Sequence, residues 1–295
     1  MENNAELFYV AYVDLSTTPT PTAYRHVMSE GKEVCGVASL GDVFVVYGNV
    51  QQRVEVYDAK TFEFQRHITV PGLGEDSTGW PEEWWCPSVG LAACPDNNCL
   101  YASDHNRDSI HRVDMASSNA VMKWSVALWP VGLSVNAEHN LIVVSEGERK
   151  LQIFTTHGTL IQNIQLQAGI DVPRHAVQLL TSQFLVTDAK YIHRVCLVGV
   201  DGAVVRSYDT YEDARSNPPS GLTVDRLGRV LAAYRGNRTL LMLDQSLQSA
   251  RKTTIDISLC SPLSLWYDRS RGRLYVGEKE GALVVIDNLK DFRDI

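Results

Sequence analysis

The chain has 295 residues, 44% of them hydrophobic, enough for one large domain with a sizeable core or for two ordinary ones. Its formal net charge of −8 is unevenly spread, with 8 Lys/Arg against 19 Asp/Glu in residues 1–146 and 19 against 16 in residues 147–295. That balance argues against DNA or a membrane as a partner, while a local basic patch stays open. No apolar run is long enough to span a bilayer, and Met1-Glu2-Asn3-Asn4-Ala5-Glu6 lacks the basic-then-apolar order of a signal peptide. Six cysteines without paired CxxC spacing give no zinc framework and set a reducing, cytoplasmic location as the expectation.

Taken in chain order, residues 7–13 read as a strand whose place the sequence leaves open. Tyr24-Arg25-His26-Val27 then resembles Gln65-Arg66-His67-Ile68 further on. Val34-Cys35-Gly36-Val37 opens a first set of short strands, followed by 43–47 and 53–57. After the stretch 74–86, rich in tryptophan and acid, Ser88-Val89-Gly90-Leu91 opens a second set with 100–102 and 110–113. There Cys94 and Cys99 flank the turn Pro95-Asp96-Asn97-Asn98, a spacing that permits a disulfide. Pro130-Val131-Gly132-Leu133 opens a third set, with 141–144 and 151–154, and Pro173-Arg174-His175-Ala176 a fourth, with 184–186 and 194–198. The fifth, from Pro219-Ser220-Gly221-Leu222, is the best formed. It has turns at Asp225-Arg226-Leu227-Gly228 and Arg235-Gly236-Asn237-Arg238 between strands 222–224, 229–234 and 239–243, and a weaker strand at 252–256. The sixth, from Pro262-Leu263-Ser264-Leu265, has strands at 274–276 and 283–286 and lacks a fourth.

The opening phrase, proline or its substitute followed two residues on by a small residue and then an aliphatic, recurs with Pro130, Pro173, Pro219 and Pro262 spaced by 43, 46 and 43. A period of this size marks a propeller or solenoid, and four strands per copy make one propeller blade. The expected fold is all-β. It is a six-bladed β-propeller of four-stranded antiparallel blades in a single domain over 1–295. The blades are expected at roughly 31–73, 86–128, 129–171, 172–217, 218–260 and 261–295, the last completed by an N-terminal strand within 20–30 that closes the ring and removes an exposed edge. The unplaced strand 7–13 keeps a seven-bladed or distorted closure open. Near-continuous apolar second strands fit burial on both faces, and the small residue fits inner strands crowded around a channel.

These features resemble the NHL-repeat propellers. The likeness lies in the Pro-x-Gly-aliphatic phrases, in Asp225-Arg226-Leu227-Gly228 and Gly236-Asn237-Arg238, in Val198-Gly199-Val200-Asp201-Gly202, and in the blade that keeps both Asp188 at the end of its second strand and Arg194 before its third. It covers about residues 30–287, in degenerate copies. The resemblance implies a recognition propeller of the kind that ends longer chains bearing a RING finger and B-box, whose paired cysteines do not occur here. It also implies two alternatives, since some such propellers bind single-stranded RNA, and related lyases and lactonases hold a channel metal.

Three groups of residues follow as candidates. Trp80, Trp84 and Trp85, in an insertion over one channel mouth, suit recognition of a peptide, a cation or a sugar, or else plug the channel. His175, in the place of a small residue, faces the channel with Arg174 beside it, and one histidine cannot fill a zinc shell. Asp104, Glu146, Asp188 and Glu278 lie near the ends of second strands without a ligand spacing. Arg149, Lys150, Lys190, Arg235 and Arg238, interleaved with Tyr191 and Tyr234, fall between second and third strands and should share one rim, as phosphate contacts and base platforms would. The expected function is non-enzymatic binding of a protein or peptide, with no cofactor and no catalytic residue assigned.

Overall fold

The computed structural model describes residues 8–9, 22–27, 33–48, 53–73, 90–116, 120–189, 194–209, 219–235, 238–248, 250–252 and 259–287. Two strands, β1 (Phe8–Tyr9) and β2 (Thr22–Val27), precede the first blade. Blade 1 holds β3 (Val34–Leu40), β4 (Val43–Gly48), β5 (Arg53–Asp58) and β6 (Phe64–Thr69). Blade 2 holds β7 (Leu91–Cys94), β8 (Cys99–Asp104), β9 (Ser109–Asp114) and β10 (Val121–Ser125), with a 3-10 turn at His105–Arg107. Blade 3 holds β11 (Pro130–Val135), β12 (Leu141–Ser145), β13 (Lys150–Phe154) and β14 (Leu160–Gln165). Blade 4 holds β15 (Pro173–Gln178), β16 (Phe184–Asp188), β17 (Arg194–Val198) and β18 (Val204–Asp209). Blade 5 holds β19 (Pro219–Val224), β20 (Val230–Tyr234), β21 (Thr239–Leu243) and β22 (Ala250–Lys252). Blade 6 holds β23 (Pro262–Asp268), β24 (Arg273–Glu278) and β25 (Ala282–Asp287), and β2 completes it.

All pairings are antiparallel, and the first strand of each blade packs against that of the next, from β3 round to β23 and back to β3. Among the described residues no helix is long and apolar enough to cross a membrane. The buried apolar side chains fall into six groups, one between each pair of neighbouring blades, and these sheet-on-sheet contacts are the core.

The recurring phrase has a mechanical reason. Register slips between Pro130 and Leu133, Pro173 and Ala176, Pro219 and Gly221, Pro262 and Ser264, and Val34 and Gly36. Proline has no N–H for a ladder, so it stands at the strand start, and the residues after it bulge toward the neighbouring blade. A Cβ on Gly90 would stand 2.3 Å from Val131 O, and one on Gly132 2.2 Å from Arg174 O, which is why those positions carry glycine.

The ring closes as the sequence predicts, with β2 laid along β25 from Thr22 opposite Asp287 to Val27 opposite Ala282. The strand left unplaced is β1, a short fifth strand outside β2 with Phe8 opposite Arg25 and Tyr9 opposite Tyr24. Side chains reinforce the seam. Arg271 reaches Asp42 at 2.8 Å, Trp266 Nε1–H donates to Ser39 Oγ at 2.8 Å, and Arg273 bonds both Asp287 and Ala59 O while lying over the rings of Phe62 and Tyr275. Cys94 and Cys99 face each other in register as free thiols, whereas Cys35, to which spacing assigns no partner, is disulfide-bonded.

Candidate functional site

In five of the six blades the last residue of the second strand faces the start of the first, as with Ser145 opposite Pro130, Asp188 opposite Pro173 and Glu278 opposite Pro262. Polar side chains at these positions hold the incoming connector. Asp188 accepts the N–H groups of Asp171 and Val172 at 3.3 and 2.9 Å and pairs with Arg194 at 3.3 Å. Glu278 accepts the Cys260 N–H at 2.7 Å, and Ser145 donates to Ala127 O at 3.3 Å. In blade 2, where Ser109 replaces the arginine, Asp104 instead meets buried His111 at 3.5 Å and Lys123 at 3.9 Å. Asp104, Asp188 and Glu278 therefore serve their own blades. Among the described residues no group of three or more His, Cys, Asp or Glu side chains is placed to hold a metal ion.

One connector departs from this pattern. Between β10 and β11 the chain presents Leu128 and Trp129, 49% and 46% exposed, with Trp129 in the left-handed region at φ +59°. A bulky residue there is strained and persists only when its surroundings fix it. Here every backbone N–H from 127 to 129 is taken by a side chain from another segment. Ala127 N–H goes to Gln152 at 2.7 Å, Leu128 N–H to Glu148 at 3.2 Å, and Trp129 N–H to Asp108 at 2.8 Å. From the other side, Leu128 O accepts Gly147 N–H at 3.2 Å and Trp129 O accepts Glu146 N–H at 3.0 Å. Gly147 packs closely beneath this segment, since a Cβ there would lie 3.0 Å from the Trp129 ring and 3.1 Å from Leu128.

The indole stands over His105, ring centroids 6.0 Å apart at 26°. Beside it Arg174 pairs with Glu146 at 2.8 Å. Burial raises the Glu146 carboxyl pKa against the pull of Arg174, burial lowers that of Arg174, and burial, then Arg174, lowers that of His105. Trp124 and Trp266 are partly buried, so Trp129 is the exposed tryptophan among the described residues.

His175 bonds Leu133 O through Nε2 at 3.0 Å, which places its hydrogen on Nε2, and burial pushes its pKa down to about 4. Its backbone N–H donates to Thr187 Oγ1 at 2.9 Å. It is a neutral strut between the inner strands of blades 3 and 4.

The basic rim is laced to acid. Arg149 reaches Asp171 at 3.4 Å, Lys150 is paired with Glu148, and Arg235 and Lys279 act on the half-buried Glu33. Arg238 is exposed. Tyr234 is 3% exposed between blades 4 and 5, so its ring is not on the rim surface. Lys190 and Tyr191, together with Trp80, Trp84 and Trp85, lie outside the described residues.

No family model matches the chain, and no curated protein matches its sequence. Solved structures do resemble it. A catalytically inactive variant of virginiamycin B lyase from Staphylococcus aureus with quinupristin aligns at TM-score 0.64 and 8% identity, over 91% of this chain and 100% of that one. A protein of unknown function from Bacteroides thetaiotaomicron aligns at TM-score 0.67 and 14% identity, over 90% and 76%. The WD40 β-propeller domain of Doa1 aligns at 0.58 and 12%, over 90% and 95%. The fold is a six-bladed β-propeller. At these identities the likeness reaches no further, and a propeller carries enzymes and interaction domains alike.

Leu128 and Trp129 escape a reading by repeats, although one signal marks them. At the same two positions before the phrase, other copies carry Lys32-Glu33, Asp171-Val172, Asn217-Pro218 and Cys260-Ser261. A Leu-Trp pair there has no counterpart in packing.

Proposed function

We propose that this propeller is a non-enzymatic recognition module that binds a protein or peptide partner on the face carrying the β10–β11 connector, with Trp129 and Leu128 as the apolar anchor. The observation that carries this reading is a strained, exposed tryptophan held by hydrogen bonds on both sides. A connector whose backbone is already fixed loses little entropy on binding, and tryptophan is among the residues that dominate interface energetics. The connector 74–86, with Trp80, Trp84 and Trp85, joins blades 1 and 2 as this one joins blades 2 and 3, and it belongs to the same proposed surface. The NHL-like assignment fits such a role. Pairing of Arg149 and Lys150 with acids favours a polypeptide over single-stranded RNA, which needs unengaged cations along a backbone.

The test is selection from a displayed peptide library with the full chain as bait. Enriched sequences should bear an aromatic or aliphatic anchor and bind with little dependence on salt. The Trp129→Ala protein should lose them at least about tenfold while melting within a few degrees of the parent. Equal binding by Trp129→Ala would remove the anchor. Affinity that falls steeply with salt and transfers to oligonucleotides would put RNA in its place.

A further inference from the structure

Each outer strand of a propeller leaves one row of backbone N–H and C=O groups toward solvent, and in this ring those rows are not alike. That of β2 is taken by β1. The others carry ionic side chains: Arg66 and His67 on β6, Lys123 on β10, Arg206 and Asp209 on β18, Arg251 and Lys252 on β22. Charge on an edge strand opposes pairing with another strand, because the incoming chain must desolvate it. The exception is β14, Leu160–Gln165, whose sequence is Leu-Ile-Gln-Asn-Ile-Gln. No Lys, Arg, Asp or Glu occurs anywhere in residues 151–170. Of the strand residues described, only Leu160 and Ile161 are adjacent large apolar side chains this exposed, at 44% and 51%.

We propose that β14 is a self-association edge, through which two copies of this chain pair antiparallel about a two-fold axis and join their third blades into one eight-stranded sheet. The choice of a second copy follows from charge. Of the pairings two copies can make between fourth strands of their blades, β14 with β14 alone places no ionic residue on either strand (the two-residue β1 is too short to offer a comparable edge), so no charge is desolvated and no like charges meet despite the net charge of −8. The Gln162 amide both donates and accepts, so it finds a partner in an identical strand, while Asn163 Oδ1 and Gln165 Nε2 already bond within their own blade and leave only the other half of each amide to a second copy. A two-fold axis makes the contact self-complementary, and the assembly stops at two. This inference is independent of the Trp129 surface.

Sedimentation of the full chain over a concentration series up to about 100 μM tests it, a range that populates a pairing of micromolar affinity. The mass should rise from 32.9 kDa toward twice that value and no further, and hydrogen exchange in 160–165 should slow as it does. Ile161→Lys should weaken the dimer at least about tenfold with an unchanged melting temperature, since that side chain is exposed. Should Ile161→Lys fold poorly, Gln162→Lys, also on the exposed surface, answers the same question. Phe64→Lys on β6 should leave the dimer intact. A monomer throughout, growth beyond a dimer, a dimer without protection of β14, or equal loss with Phe64→Lys each overturns the proposal.

Discussion

The seam between blades 6 and 1 and the connector between blades 2 and 3 are both held by side chains that cross from blade to blade, and they finish in opposite places. At the seam Arg273 turns inward, over Phe62 and Tyr275 and onto Asp287 and Ala59 O. At the connector Asp108, Glu148 and Gln152 each accept a backbone amide N–H, and two side chains of the segment they fix, Leu128 and Trp129, are exposed to solvent. The same chemistry thus does two jobs. Polar contacts that end in packed rings hold the circle shut, and polar contacts that end in an exposed indole present a surface. The first kind should register in stability, the second in binding.

Both regions rest on the inner ring, so the largest expected effect comes from disturbing that. Gly132→Ala would set a Cβ 2.2 Å from Arg174 O and 2.8 Å from His175 Cα, and backbone cannot yield as a flexible side chain would. A loss of more than about 4 kcal/mol, or failure to fold, is expected in urea unfolding. A loss under about 1 kcal/mol would mean the inner strands are less tightly set than these distances require. Next comes the seam itself. Arg273→Ala leaves Asp287 without its partner and uncovers two rings, at a cost of about 3 kcal/mol and roughly 6–12 °C in melting temperature. Little change on calorimetry would show that β2 alone closes the circle.

Acid tests both regions together. Burial, assisted by Arg273, lowers the pKa of His26 at the seam, and burial, then Arg174, lowers that of His105 at the connector. His175, at about 4 against an ordinary 6.5, is the largest case. Each is neutral in the fold and binds a proton more readily when unfolded. Stability is therefore full above about pH 6.5 and declines as pH falls toward 4, by about 3 kcal/mol for His175 alone. Urea midpoints at pH 7.5, 5.5 and 4.5 should fall in that order, and His175→Gln should flatten the trend. Equal midpoints across the range would contradict the burial of these rings.

The period was readable because packing repeats it. Proline at a strand start and a small residue against the next backbone are demands of geometry, and they recur wherever an inner strand does. What the repeat could not show is where one copy departs from the rest in space. Tyr234 reads as a rim residue at the end of a second strand, and β20 does end there, yet its side chain lies between two blades. Asp104 reads as having lost its arginine, yet His111, two positions into the next strand, takes the place. Trp129 depends on Asp108, Glu148 and Gln152, which lie about 20 residues away on either side and meet it only because two blades are adjacent. Spacing along one copy carries no trace of that meeting.

The smallest expected effect is also the sharpest test of the connector. At φ +59° Trp129 is in a conformation that costs a side-chain-bearing residue about 1 kcal/mol and glycine almost nothing. Trp129→Ala keeps that strain and loses the contact with His105. Trp129→Gly loses the same contact, removes the strain, and gives back part of the gain through a freer unfolded chain. The glycine variant should therefore match the parent within about 0.5 kcal/mol and exceed the alanine variant by a similar amount, and neither should bind the partner. If alanine proves the more stable of the two, the left-handed turn is not what holds this indole out, and the contrast with the seam loses its basis.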